Sequence, residues 1–531
     1  MKKRESTYKP LLFTTTVRNP KRVKGLLYIL SKFNNKILTN ELTEKVIGEL
    51  IRFGIYRPMK ISATVKQKWA STRRGEFAEL ILTDDEVNYV LANNPQTHKE
   101  AGFEKGWPSR FATFYDFAKE LGFVYFWINR KIEFSEIGLR LANSIEIKVQ
   151  DGFILYSEPH PEFEQQAFLH AMAKYQRNNP FVRVLNNNVP LILLLEVIKK
   201  LNEDKSFNNA GISKLELPLI LYWKDNNSQN LYLRIKKLRE DYGYSPSWEV
   251  ITEICQNEIM EGNDVVRDTK SIMVDYPDEF IRKMRLTGLI SLRGGGRFID
   301  INRNEEEKVN YILRKYSHYP TFSSERDYFD YMASTDENLI INTPKPVEIK
   351  ENDKLLSNWV KYYSWKTIKK ELILLSKRGK SKDEILKYLS HHVRLEFLTA
   401  IAIKSKYKDV VVIPNYPIDD EGIPTSTAGG QNNQGDIECL ENDNGILIEV
   451  TMSGGRTQTM MEVWPISRHL EAFSKKINKK SMCHFIAPEI FSDSIRQIKW
   501  LYDTEKINIK ARSINEFIEY LENNEILYEV N

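Results

Sequence analysis

Two neighbouring runs decide the reading of this chain: Gly435-Asp436-Ile437-Glu438-Cys439 and Gly445-Ile446-Leu447-Ile448-Glu449-Val450-Thr451. The turn residues Asn442-Asp443-Asn444-Gly445 join them, so the pair reads as a β-hairpin. Glu449 lies inside an apolar strand, where an unpaired carboxylate would be costly. Asp436 begins the partner strand, and the two carboxylates can therefore converge on one side of a sheet. Held together they repel unless a cation sits between them. Oxygen ligands without a His/Cys cluster point to Mg²⁺ rather than zinc. An ion of that kind can polarise a phosphodiester and activate a water.

Working outward, the spacing predicts a helix from Glu384 to about Lys404, carrying Leu386, Leu389, Val393, Leu395, Leu398 and Ile401. A strand follows at Asp409–Ile413, then the polar loop 428–434 and the hairpin. A helix begins at Thr457, and Met482–Ala487 reads as a buried strand. The order is αβββαβ. Two further acids are placed to join the site, Glu396 on the preceding helix and Glu462 on the following one. His469 stands seven residues beyond Glu462, on roughly the same helix face, as an accessory candidate.

Upstream, residues 318–350 contain Pro320, Pro344 and Pro346 and read as a connection. A long helix is expected from about residue 351 until Arg378-Gly379-Lys380-Ser381. Residues 109–142 read as helix, tight hairpin and helix, with Ser109 and Ser135 as caps and a turn at Asn129-Arg130. That order suits a winged-helix unit, a recognition helix followed by a β-wing. Residues 278–302 repeat the idea, with Arg293-Gly294-Gly295-Gly296-Arg297 as the turn and its two arginines at a wing tip beside phosphate. The glycine run lacks the Gly-Lys-Ser/Thr ending of a phosphate-binding nucleotide loop.

The chain has 531 residues, enough for three or four domains, so no single core is expected. Hydrophobic residues at 41% and charged residues at 28% are ordinary values that exclude disordered and fibrous classes. The longest apolar run, Val189–Leu195, stops at Glu196 and is far too short for a membrane span. Three scattered cysteines support neither a disulfide framework nor a zinc knuckle and suit a reducing compartment. The net charge of +5 conceals a division: residues 1–80 hold 18 Lys/Arg against 6 Asp/Glu, leaving a net −7 on the other 451 residues. A basic front is the footprint of a phosphate-binding surface. Its candidate contacts are Arg18, Lys21, Arg22, Lys24, Arg73 and Arg74, with Arg293 and Arg297 from the second turn.

An acid at a hairpin start followed by an acid in an apolar strand resembles the PD-(D/E)xK nuclease superfamily. The chain departs from that signature at Gly435, where Pro is usual, and at Thr451, where the Lys would stand. The longer string, Gly435-Asp436 through Ile448-Glu449-Val450-Thr451, Met461-Glu462, Pro465-Ile466-Ser467-Arg468-His469 and Phe485-Ile486-Ala487-Pro488-Glu489, resembles the AlwI group of type IIS restriction endonucleases. Thr16-Val17-Arg18-Asn19-Pro20, Leu38-Thr39-Asn40-Glu41-Leu42 and Tyr56-Arg57-Pro58 extend the likeness to the N-terminus. The resemblance implies a multidomain α+β chain. Residues 1–150 and 151–315 would be winged-helix-type DNA-recognition subdomains, 316–382 a helical linker and 383–531 an α/β endonuclease domain. It implies Asp436, Glu449 and Glu462 as Mg²⁺ ligands, with Glu396 as a further site acid. It also implies duplex DNA as substrate, a transient homodimer or second subunit for cutting both strands, a cognate DNA methyltransferase, and a bacterial cytoplasmic location without membrane attachment. A strand-specific nickase and a DNA-binding regulator with an inactive nuclease-like domain are the alternatives.

Overall fold

The computed structural model describes residues 7–13, 17, 19–70, 72–182, 184–207, 210–262, 267–340, 349–428 and 434–529. It is a mixed helix and sheet protein whose C-terminal part is built on one mixed sheet. None of its described helices is long and apolar enough to cross a membrane.

The first unit contains α1 (Arg22–Ser31), α2 (Asn40–Arg52), α3 (Trp107–Glu120), β1 (Val124–Tyr125), β2 (Glu133–Phe134), α4 (Glu136–Ala142), and the hairpin β3 (Glu146–Gln150) and β4 (Phe153–Ser157). Thr39 caps α2 by accepting the amide of Leu42 at 3.1 Å, and Ser135 caps α4 through Gly138 at 3.0 Å. Helix, hairpin and helix thus follow the expected order. However, α3 starts at Trp107 with Pro108 in its first turn, and Ser109 lies inside it. Phe111, Phe114, Tyr115, Phe117 and Ala118 are buried on several faces of α3. A helix enclosed this way is a core element of the first unit.

The second unit contains α5 (Glu162–Lys174), α6 (Pro190–Glu203), β5 (Ile212–Ser213), α7 (Leu217–Tyr222), α8 (Tyr276–Arg285), β6 (Ile290–Arg293) and β7 (Phe298–Ile301), with the strands in the order β5-β7-β6. The turn between β6 and β7 has positive φ at Gly294, Gly295 and Gly296. Its tip is not free. A Cβ on Gly295 would fall 2.4 Å from the Tyr362 hydroxyl, and one on Gly296 would fall 2.8 Å from the Glu384 carbonyl.

The expected connection at 318–350 includes a helix, α9 (Glu325–Ala333), with Tyr328, Phe329 and Met332 buried. It straps the first unit, since the Trp127 indole donates to Glu325 at 2.8 Å and Tyr125 packs on Phe329. The long helix expected beyond 351 is two helices, α10 (Ile349–Tyr362) and α11 (Trp365–Ser376), because Ser364 caps a new start. The helix expected from Glu384 begins only at His391, as α12 (His391–Lys406), after a short 3₁₀ turn. Both α10 and α11 pack on α12.

The C-terminal sheet runs β12-β11-β10-β9-β8, from β8 (Val411–Pro414), β9 (Ile437–Glu441), β10 (Asn444–Val450), β11 (Lys480–Ala487) and β12 (Ile509–Ser513). β8, β9 and β10 form an antiparallel meander, and β10, β11 and β12 are parallel. Parallel neighbours need crossovers. These are α13 (Gly455–Met461) with α14 (Val463–Ile477), then α15 (Ser492–Glu505), and α16 (Ile514–Asn523) closes the chain. Strand alternation sends Ile446 and Ile448 toward the α12 layer. Leu447 goes to the other side, into a core with Val463, Ile466, Leu470 and Phe473 of α14. The larger core is continuous from Leu11 to Leu527. The units share this buried apolar surface, while Leu447 with α14 and α15 belongs to a second core, in keeping with the expectation of more than one.

Candidate active site

Glu449 and Asp436 come together at the end of the β9–β10 hairpin. The register pairs Ile448 with Ile437, so Asp436 falls just before β9 and opposite the last turn of β10. Its Oδ2 accepts the amide of Val450 at 2.7 Å. Asn415 pins this corner from β8: its amide donates to the Asp436 carbonyl at 2.9 Å and its side chain to the Gly435 carbonyl at 2.7 Å. Gly435 leaves room for the second acid. A Cβ there would fall 2.5 Å from Oε1 of Glu449 and 2.6 Å from Cδ1 of Leu447. The departure from the usual proline thus has a physical reason, since any residue with a Cβ would displace Glu449.

Glu449 is 6% exposed, and its Oε1 lies 2.8 Å from Nδ1 of His469 on α14. Glu462 sits at the junction of α13 and α14, which the sequence reads as one helix. Its Oε1 accepts the hydroxyls of Thr451 at 3.0 Å and Ser453 at 2.9 Å. Glu396, buried on α12, accepts the amide of Ala428 at 2.9 Å. The neighbouring loop residues 429–433 lie outside the described residues.

Burial pushes the Asp436 carboxyl well above the usual range, and the Glu449 and Glu462 carboxylates push it further, against the Val450 amide. Glu449 is raised by burial and then by Glu462. Glu396 is raised by burial, Asp436 and Glu449, against the Ala428 amide and Lys21. Burial also raises Glu462, with the Ser453 and Thr451 hydroxyls and His469 pulling the other way. His469 is lowered by burial and by Arg468. Four acids raised by burial, three of them also by neighbouring carboxylates, form a donor set suited to a hard divalent cation. Among the described residues no three His, Cys, Asp or Glu side chains are tight enough to hold a metal by themselves. A two-carboxylate site completed by water and substrate phosphate fits that geometry.

Sequence reasoning gave no role to Thr451, Ser453, Gln458 or Asn415. Gln458 is fully buried, donates to the Ser453 carbonyl at 3.2 Å and the Glu489 carbonyl at 2.9 Å, and accepts the Phe491 amide at 2.8 Å. It fixes the loop that carries Ser453. The available signal was Thr451 itself, a hydroxyl at the position where the signature has Lys.

The family model described as AlwI restriction endonuclease matches residues 119–370 and 348–519 of this chain. The chain belongs to the AlwI restriction endonuclease family. An AlwI-family chain is a site-specific deoxyribonuclease, and the acid cluster falls within the second matched segment. Comparison with curated proteins gives no match. Among solved structures, the small subunit (R.BspD6I2) of the heterodimeric restriction endonuclease R.BspD6I is 22% identical over 29% of this chain and 76% of that one, with a TM-score of 0.24. Restriction endonuclease FokI is 14% identical over 99% of this chain and 97% of that one, with a TM-score of 0.26. FokI bound to DNA is 13% identical over 98% and 97%, with a TM-score of 0.24.

In this AlwI-family chain the cations expected at DNA separate into two groups. Lys24 is buried, with its Nζ 2.7 Å from Glu158 and 3.8 Å from Glu164. Arg293 is held by Asp300 at 2.7 Å, Asp420 at 2.7 Å and Glu421. Burial works against its charge, but Asp420 and Asp300 outweigh it and hold the guanidinium above its ordinary value. Both expectations are corrected: these cations bind acids of the protein and are not presented to phosphate. Lys21 donates to Ser390 at the start of α12 at 3.1 Å, and Arg73 lies 2.7 Å from His391. Arg22 packs against Gly75. Arg74 and Arg297 are exposed, and Arg18 lies outside the described residues.

Proposed function

We propose that the chain is a type IIS restriction endonuclease. Its N-terminal half reads a short asymmetric duplex site, and its C-terminal domain hydrolyses phosphodiesters a few bases away, leaving 5′-phosphate ends. The observation that carries this reading is the cluster at the open end of the β9–β10 hairpin, where buried Glu449 and Glu396 lie beside half-buried Asp436 and Glu462 and push the Asp436 carboxyl upward or are pushed up by it. The residue boundaries 150, 315 and 382 mark two winged-helix-type recognition subdomains, a linker and the nuclease in this proposal, with Arg74 and Arg297 among the reader's cations.

Asp436 and Glu449 would hold Mg²⁺, with water and substrate phosphate completing its shell and Glu462 beside it. The bound ion would supply charge stabilisation at the phosphate and a more acidic water. The chain's own residues set the geometry. The Val450 amide fixes Asp436, and His469 holds one oxygen of Glu449. Glu462, steadied by two hydroxyls, orients the attacking water in place of the signature lysine. Glu396 adds negative charge on the α12 side.

One acid cluster per chain cuts one strand per encounter, so cutting both strands calls for a second copy, a second subunit or a second pass. Nicking is the reading in which none of these operates. The proposal places the enzyme in the bacterial cytoplasm beside a DNA methyltransferase that protects the same site. Incubating supercoiled plasmid with the purified chain, with and without Mg²⁺, and sequencing the ends tests the proposal. Cuts at a fixed offset from one motif, only with the ion, are expected. Intact plasmid across varied sequences would overturn it.

A further inference from the structure

We propose that the corner where residues 34–38 meet the tip of the β1–β2 hairpin is a phosphate-contacting surface for duplex DNA, with Lys36, Arg130 and Lys131 as its cations. The proposal rests on the DNA-cleavage reading above and names part of its reader. The two segments are locked by main-chain bonds: Asn35 to the Ile132 carbonyl at 2.8 Å, Ile132 to the Lys36 carbonyl at 2.9 Å, Leu38 to the Arg130 carbonyl at 2.8 Å and Asn129 to the Leu38 carbonyl at 2.8 Å. Ile37 and Lys131 are antiparallel bridge partners. Asn35 and Asn129 both adopt φ of +63°, a left-handed conformation that Asn tolerates better than most residues.

The corner is therefore rigid, and its two sides differ. Leu38 and Ile132 are fully buried and tie it to the core. Asn35, Lys36, Ile37, Asn129, Arg130 and Lys131 are all exposed. None of Lys36, Arg130 and Lys131 makes an ion pair with a described residue. Glu133, which follows the hairpin turn, pairs with Arg326 at 2.7 Å, and Glu325 accepts the Trp127 indole at 2.8 Å. This distinguishes the corner from Lys24 and Arg293, whose charges are consumed inside the protein. Three unneutralised cations on a fixed backbone, with two exposed asparagine amides beside them, match the chemistry of a sugar-phosphate backbone.

The test uses the full chain and fluorescence anisotropy on a labelled duplex that contains the cleavage motif, at several salt concentrations. Each phosphate contact contributes about 0.9 to the slope of log K against log salt. The triple variant Lys36→Ala/Arg130→Ala/Lys131→Ala is expected to weaken binding and reduce that slope by about 2.7, with an unchanged thermal melt. If the triple variant fails to fold, each single variant serves, with a loss of about 0.9 expected. Lys36→Arg/Lys131→Arg is expected to keep the slope. A folded alanine variant with the wild-type slope overturns the corner while leaving the cleavage reading intact. A wild-type chain that binds and cuts no duplex overturns both.

Discussion

Gly435→Ala perturbs the candidate site by a single methyl group. The methyl would fall 2.5 Å from Oε1 of Glu449 and 2.6 Å from Cδ1 of Leu447. Ordinary contact begins near 3.4 Å, so the Glu449 carboxylate must retreat by about 0.9 Å or Gly435 must carry the hairpin corner away. The corner has little freedom, because Asn415 grips both Gly435 and Asp436. Misplacing a reacting group by about 1 Å costs on the order of 100-fold in rate. Overpacking beside Leu447 costs about 1–3 kcal/mol of stability. Single-turnover cleavage of a saturated duplex should therefore slow about 100-fold, with duplex affinity unchanged. A variant that cleaves at the wild-type rate would show that Glu449 does not need its present position, and the site geometry argued above would fail.

Thr451→Val/Ser453→Ala removes both hydroxyls from Glu462. Single-turnover cleavage should fall by about 10-fold or more, as charge-assisted hydrogen bonds are worth roughly 1.5–3 kcal/mol, and Thr451→Ser should restore most of it. Lys24→Met leaves Glu158 and Glu164 without their buried cation and should cost about 3–5 kcal/mol in urea unfolding. Arg293→Met should cost about the same, because Asp300 and Asp420 lose their shared partner, while the salt dependence of DNA binding stays unchanged. Burial alone would raise the Glu158 carboxyl, but Lys24, His392 and Lys21 pull it from 4.5 to about 2. A depressed acid contributes stability above its unfolded value, and that contribution disappears as pH falls through the folded one. Thermal melts should therefore lose stability between about pH 4.5 and 2, and Glu158→Gln should flatten that dependence.

The elements with a strong local signal were legible. The β9–β10 hairpin showed itself by its turn residues and apolar runs, and α4 by Ser135, whose cap is local chemistry. Asp436 and Glu449 follow from that hairpin, just before its first strand and near the end of its second. Breaks inside continuous apolar patterns were not legible. Ser364 divides the expected long helix and Glu462 divides α13 from α14, while the hydrophobic spacing runs through both. The fate of individual cations was also hidden. A charge count cannot show that Lys24 meets Glu158, 134 residues away, or that Arg293 meets acids some 128 residues further on. Pairing depends on tertiary contacts, and so the basic front was visible while its exposed members were not.

The most direct measurement is cleavage of supercoiled plasmid by Asp436→Ala and Glu449→Ala beside the wild type, with Mg²⁺ present and duplex binding measured on the same samples. The wild type should convert plasmid to nicked or linear DNA. Both variants should leave it supercoiled while binding the duplex as tightly as before. Undiminished cutting by either variant would contradict the assignment of the acid cluster as the catalytic site.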